Sequence, residues 1–308
     1  MAENKDDGRS ERIAKRLARA GVASRREAER MILAGRVAVN GRRIESPALN
    51  VGPDDRIEVD GHEIGEPEPP RLWRYHKPAG LVTTESDEKG RPTVFGRLPA
   101  ELGRVMSVGR LDIATEGLLL LTNDGGVKRR LELPSTGWVR KYRVRAHGKA
   151  EDAALERLRQ GLVIEGEKFQ PMDVVLDRVQ GANAWLTVGI REGRNREVRR
   201  AMEEIGLVVN RLIRIGYGPF RLGELAPGAV EEVRARVLAD QLGWKRPGAA
   251  RRAAQKAAPK AARKGTRPTR RNQQKGRPAE FAPRLGFRSL FLSAELRNDS
   301  YRSIIRHE

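Results

Sequence analysis

The tetrapeptide Gly109-Arg110-Leu111-Asp112 sets a carboxylate beside a guanidinium, behind a glycine. The mixed segment 113–117 leads on into four consecutive leucines, Leu118 to Leu121, which are closed off by Asn123-Asp124-Gly125. A short apolar run bounded by turn residues predicts a buried strand ending in a turn or a helix cap. A carboxylate lodged against such a strand is partly desolvated and has its charge held by a neighbour. Two roles are open to it. It can act on a substrate as a nucleophile, or it can form a structural ion pair with Arg110, which is the commoner outcome for this arrangement.

Two further stretches carry side chains able to take part in chemistry. In 141–146 the residues alternate strictly, with Tyr142, Val144 and Ala146 on one face and Lys141, Arg143 and Arg145 on the other. That is a strand with an inward tyrosine, and on pattern alone Tyr142 is a core residue. The run Arg191-Glu192-Gly193-Arg194-Asn195-Arg196-Glu197-Val198-Arg199-Arg200 is a glycine turn feeding a helix. Its apolar face is Val198, Met202 and Ile205, with Gly206 behind it, so Arg194, Arg196, Arg199 and Arg200 are distributed over the other faces.

The elements that must position these groups can be read in order. Ile13, Ala14, Leu17 and Ala18 share one helical face, and Gly21 ends the helix. Ser24-Arg25-Arg26-Glu27 is a capping box opening a second helix, and Asn40-Gly41 joins two short strands as a hairpin. Ile57 to Val59 supplies a last strand. The acidic, proline-rich 63–70 is a linker, after which Leu72 to Tyr75 begins a second unit as a strand. Helices over 127–133 and 153–158 follow, with strands over 174–178, 184–190 and 212–215, and Gly216 to Phe220 closes the fold.

Composition narrows the chemistry. The 308 residues carry a formal charge of +20, which draws the chain to polyanions. There is no cysteine, which excludes disulfides, thiolate nucleophiles and cysteine-held metals. Four scattered histidines suggest no imidazole cluster. No apolar run approaches the roughly 20 residues that a bilayer requires. No phosphate-binding loop or dinucleotide fingerprint is present. Residues 245–277 are rich in Lys and Arg and contain no acidic residue, a composition that does not fold by itself.

The stretch VGRLDIATEGLLLLTNDG resembles motif two of the pseudouridine synthases, in the form typical of the RsuA/RluB family that modifies ribosomal RNA. The resemblance makes Asp112 the catalytic nucleophile. Lys77-Pro78-Ala79-Gly80 resembles motif one, a structural turn, and Gly90-Arg91-Pro92-Thr93-Val94-Phe95 resembles the large-subunit branch. Tyr142 falls where the family has a tyrosine that stacks on the flipped uracil. The 191–200 run resembles the third motif, in which an arginine at the position of Arg199 forms a salt bridge to the aspartate; Arg200, one residue on, stays open as the alternative. Arg110 is then a basic side chain for the vacated base position or for a phosphate. GVASRREAERMILAGRVAVNG resembles the S4 RNA-binding domain, which implies that Lys15, Arg16, Arg25, Arg26 and Arg36 meet RNA phosphates, with Arg194 and Arg196 adding to them.

The fold this implies is α+β: an S4 (alpha-L) domain over 9–68, then a synthase domain over 71–240 with a mixed, mainly antiparallel sheet flanked by helices. A basic, low-complexity and largely disordered tail fills 243–308. The implied activity is conversion of a specific uridine to pseudouridine in ribosomal RNA, in the 23S molecule ahead of the 16S. The reaction needs no cofactor and no metal. The expected partners are ribosomal RNA or pre-ribosomal particles and no membrane, for a cytoplasmic monomer. Starting chemistry at C5 of uracil by addition at C6 takes a thiolate or a carboxylate nucleophile, and this chain has only the carboxylate. A non-catalytic S4-type ribosome-assembly protein is the competing class.

Overall fold

The computed structural model describes residues 10–244. The expectations for the basic 245–277 segment and for the tail beyond Trp244 therefore lie outside the described residues.

The N-terminal elements form where the sequence places them. Helix α1 (Ile13–Arg19) buries Ile13, Ala14 and Leu17. Helix α2 (Arg25–Leu33) starts at Ser24, whose hydroxyl accepts from the Glu27 backbone N–H at 3.1 Å. The reciprocal half of the capping box is not made, because Glu27 pairs with Arg30 instead. Asn40 and Gly41 both have positive φ, 52° and 78°, as a two-residue hairpin requires. Ile13, Leu17, Ile32, Val37 and Ile57 close a small core.

The second unit is one nine-stranded sheet. Its main path runs Asp173–Gln180, Asn183–Ile190, Arg140–His147, Val208–Tyr217, Thr115–Thr122, Leu72–Lys77 and Val230–Glu232. Its pairings are antiparallel except one: Leu212, Ile213 and Arg214 run parallel to Thr115, Glu116 and Gly117. The four leucines are fully buried because both faces of their strand are covered. Leu119 and Leu121 join a core with helices α4 (Asp152–Gln160) and α5 (Glu197–Glu204). Leu118 and Leu120 join a second core with helices α3 (Gly125–Glu132) and α6 (Ala235–Leu242).

The fold does not close at Phe220, as the sequence reading had it. The strand Val230–Glu232 extends the sheet beside Leu72–Lys77, and α6 buries Leu238 and Leu242 under the leucine strand. A small hairpin, Leu162–Ile164 with Glu167–Phe169, also went unforeseen.

Candidate active site

The Asp112 loop is held almost entirely through its backbone. Gly109 takes φ +68° and donates its N–H to Glu132 Oε1 at 2.6 Å. Thr83 Oγ1 donates to Leu111 O at 2.7 Å and accepts from Leu111 N–H at 3.3 Å. Gly80 N–H donates to Ile113 O at 2.8 Å, and Thr115 N–H to Asp112 O at 3.0 Å. Beneath the loop lies Lys77, wholly buried, whose ammonium donates to the carbonyls of Pro78, Asp112, Ile113 and Thr115 at 2.9–3.4 Å. Burial lowers the Lys77 pKa to about 8, and the Asp112 charge pulls the other way. The turn that begins at Lys77 is therefore the clasp of the Asp112 loop.

With its backbone occupied, the loop leaves the Asp112 side chain free. Asp112 lines a cleft of about 910 Å³ together with Arg110, Tyr142, Arg194 and Arg196. Tyr142 stands on the inner face of its strand, 7 % exposed. Three residues lining the cleft have a buried polar atom with no hydrogen-bond partner among the described residues: Thr115 Oγ1, Glu197 Oε1 and Arg214 Nη2. Buried polar atoms are rarely left unpaired, and a polar ligand or an ordered water in the cleft would complete these three.

The arginine assignments change with the geometry. The expected salt bridge between Arg199 and Asp112 is not formed. Arg199 instead donates to Val209 O at 2.9 Å and to Ala114 O at 3.2 Å, tying α5 to the end of the Asp112 loop. Burial, reinforced by Arg196, lowers the Arg199 pKa, while Asp112 opposes this through space. Arg200 is no partner either. One helical step carries it round to Glu167 at 2.7 Å and Glu165 at 3.4 Å. Nor do Asp112 and Arg110 form the structural pair that residue type alone favoured; Arg110 is exposed at the cleft.

Of the expected RNA-contacting residues, Arg194 is taken up by Glu192 and Glu167 at 2.9 and 2.6 Å, and Arg36 by Asp60 in a bidentate pair. Lys15 lies 3.3 Å from Glu11. Arg16 is half-buried, whereas Arg25 and Arg26 are exposed at the start of α2. Arg196 is exposed with φ +49°, where it opens α5.

Two further buried polar residues of the cleft, Arg214 and Glu197, are not evident from the sequence pattern. Arg214 is 2 % exposed and donates to Leu118 O at 2.7 Å from within an apolar strand. An arginine interrupting Leu212-Ile213-Arg214-Ile215 was the available signal. Glu197 is 3 % exposed and accepts from Arg194 N–H at 2.9 Å, and burial raises its pKa to about 7. Among the described residues no His, Cys, Asp and Glu group could hold a metal, and no helix is long and apolar enough to cross a membrane.

A sequence model of the RNA pseudouridylate synthases matches residues 71–204, and one of the S4 domain matches residues 11–57. A Rickettsia felis protein described as an uncharacterized RNA pseudouridine synthase is 47 % identical over 228 residues, 74 % of this chain and 99 % of that protein. Ribosomal large subunit pseudouridine synthase B of Haemophilus influenzae is 44 % identical over 239 residues, covering 75 % of this chain and 67 % of that protein. A crystal structure of a pseudouridylate synthase superposes with a TM-score of 0.52 at 26 % identity, over 73 % of this chain and 96 % of that one. A cleft-lining aspartate on a mixed sheet, behind an S4 module, agrees with that near-complete overlap, and this chain belongs to the RNA pseudouridine synthase family.

Proposed function

We propose that this enzyme isomerises a uridine of large-subunit ribosomal RNA to pseudouridine, with Asp112 as the nucleophile. The observation that carries the reading is the cleft itself: Asp112, held by its backbone and free at its carboxylate, shares it with Tyr142 and with buried polar atoms that lack partners. The choice of RNA draws on relatives named for the large subunit in Haemophilus influenzae and Pseudomonas aeruginosa. An S4 domain over 9–68 and a synthase domain over 71–240 divide the work, in the cytoplasm and as a monomer.

The reaction breaks the bond between C1′ and N1, turns the base, and joins C1′ to C5; the C5 proton leaves and N1 gains one. Atoms and electrons balance within the nucleotide. The base must first leave its stack, at a cost of roughly a few kcal/mol. Tyr142 offsets that cost by stacking, worth about 1–3 kcal/mol per base. Arg110 occupies the vacated position or a neighbouring phosphate, while Arg25, Arg26 and Arg196 contact the backbone. Arg199 acts as a positioning residue through the Ala114 carbonyl.

Asp112→Asn tests the assignment. Pseudouridine formation on large-subunit transcripts is expected to drop by roughly 10³-fold or more, with RNA affinity retained. Turnover at the wild-type rate would remove Asp112 from the chemistry. Pseudouridine appearing only in small-subunit transcripts would overturn the choice of RNA.

A further inference from the structure

The described helices cover the two faces of the large sheet unevenly. On one face α4 and α5 pack through Leu155, Leu158, Val198 and Met202. On the other, α3 and α6 cover the half built on the leucine strand, through Val127, Leu131, Leu238 and Leu242. The remaining half of that face belongs to the strands Arg140–His147, Asn183–Ile190 and Asp173–Gln180. On this side they contribute no buried residue to either large core.

Alternation puts Lys141, Arg143 and Arg145 on this bare half, all exposed. Register sets Arg145 opposite Trp185, and Trp185 opposite Arg178 on its other side. The Arg143 and Arg178 guanidiniums lie 5.2 and 5.5 Å from the centre of the indole. None of these four cations has an acidic partner among the described residues. Of the acids nearby, Glu116 holds Arg211 at 2.8 Å and Asp173 lies 3.7 Å from Arg191, while Asp177 accepts only from the Thr187 hydroxyl and keeps its charge, one against four cations. Other arginines of the chain, Arg36, Arg194 and Arg200 among them, are paired with carboxylates. A row of like charges left unpaired on one strand face is unfavourable for folding alone and favourable only towards an external polyanion.

We propose that this bare half-face is a second RNA-docking surface, binding the phosphodiester backbone of structured RNA outside the segment that enters the cleft. The inference rests on the reading of the chain as a ribosomal RNA enzyme. Tyr142 and Arg143 are neighbours on one strand and point to opposite faces, so RNA on the cations is not the RNA in the cleft. Strand geometry spaces Lys141, Arg143 and Arg145 about 6.7 Å apart, a regular row suited to a regular row of phosphates. An indole set among the guanidiniums adds a stacking platform for an unpaired base. The chain's own 245–277 segment is no occupant by charge, since it contains no acidic residue.

The test compares the full chain with an Arg145→Glu, Arg178→Glu double variant on two probes. These are a domain-length transcript of large-subunit ribosomal RNA and the shortest transcript the wild type still modifies. Affinity for the long transcript is expected to fall roughly tenfold, with the slope of log K against log salt shallower by about 1.5, near the 0.7–0.9 lost per phosphate contact. Turnover on the short transcript and the melting temperature stay at wild-type values. Arg145→Gln with Arg178→Gln gives a smaller loss in the same direction and serves if the charge reversal fails to fold. Unchanged affinity and salt slope on the long transcript would overturn the proposal. So would a loss confined to binding of acidic ribosomal proteins with naked RNA unaffected. If the wild type makes no pseudouridine in any transcript, the functional reading fails, while the affinity comparison still decides the surface.

Discussion

A carboxyl group buried without a full set of donors destabilises a fold once it ionises, and Glu197 is such a group inside the cleft. Its pKa is raised to about 7 from 4.5, so the folded state keeps a proton that the unfolded chain releases. Stability is therefore greatest below pH 4.5 on this account and is lost as pH rises through 7. Glu197→Gln is expected to raise stability at pH 8 by roughly 1–3 kcal/mol and to give no gain at pH 5, read by thermal denaturation at both values. A variant with the same pH profile as the wild type would show that Glu197 does not titrate there. Tyr142 poses a different question, ring or hydroxyl. Tyr142→Phe keeps most of the activity if the ring stacks on the base, whereas Tyr142→Ala costs about 1–3 kcal/mol of transition-state binding, read in kcat/KM. Near-total loss in the Phe variant would instead give the hydroxyl a proton to carry. That Asp112 and Tyr142 share one cleft was legible because their residue types stand in a recognisable order. The clasp by Lys77 and the burial of Arg214 were not, because each depends on strands brought together from distant parts of the chain.

The strand that follows the Asp112 loop is braced by the one parallel junction in the sheet. At Gly117, φ is +101°, and a Cβ there would lie 2.3 Å from the Arg214 carbonyl oxygen and 2.7 Å from its nitrogen. Backbone cannot yield as a flexible side chain does, so Gly117→Ala is expected to destabilise by roughly 3 kcal/mol or more and to abolish turnover. Soluble variant protein with a wild-type melting temperature would refute that. Most elements could be read in advance: the alternation at 141–146 became a strand, the four leucines a doubly covered one, and Asp124 the cap of α3. Those missed were short or marginal. Val230–Glu232 is a three-residue edge strand with exposed acids, and the hairpin at 162–169 turns on Glu165 at φ +51° with no Asn-Gly signal. The arginine assignment slipped for another reason: sequence places Arg199 on a helix but cannot say whether it reaches a carboxylate or a carbonyl.

Across the whole chain, positive charge is carried in two ways. Within 10–244 many arginines are neutralised locally, and the S4 elements touch the synthase unit through Arg19, 3.5 Å from Asp124. The 245–277 segment carries basic residues without any acid. Ending the chain after Trp244 is expected to weaken binding to unrelated RNA and flatten its salt dependence, leaving the melting temperature and the turnover of a short substrate unchanged. Equal salt slopes with and without the segment would show that the folded part supplies the attraction. The parallel junction has a consequence for how the enzyme comes into being. Arg214 reaches back 96 positions to the Leu118 carbonyl, and Leu212 to Arg214 brace the strand that follows the Asp112 loop. A polypeptide growing from its N-terminus cannot lay down that pairing until Leu212 to Arg214 have left the exit tunnel. The newborn chain, tethered to the very class of RNA it is proposed to modify, thus stays catalytically silent through most of its own translation.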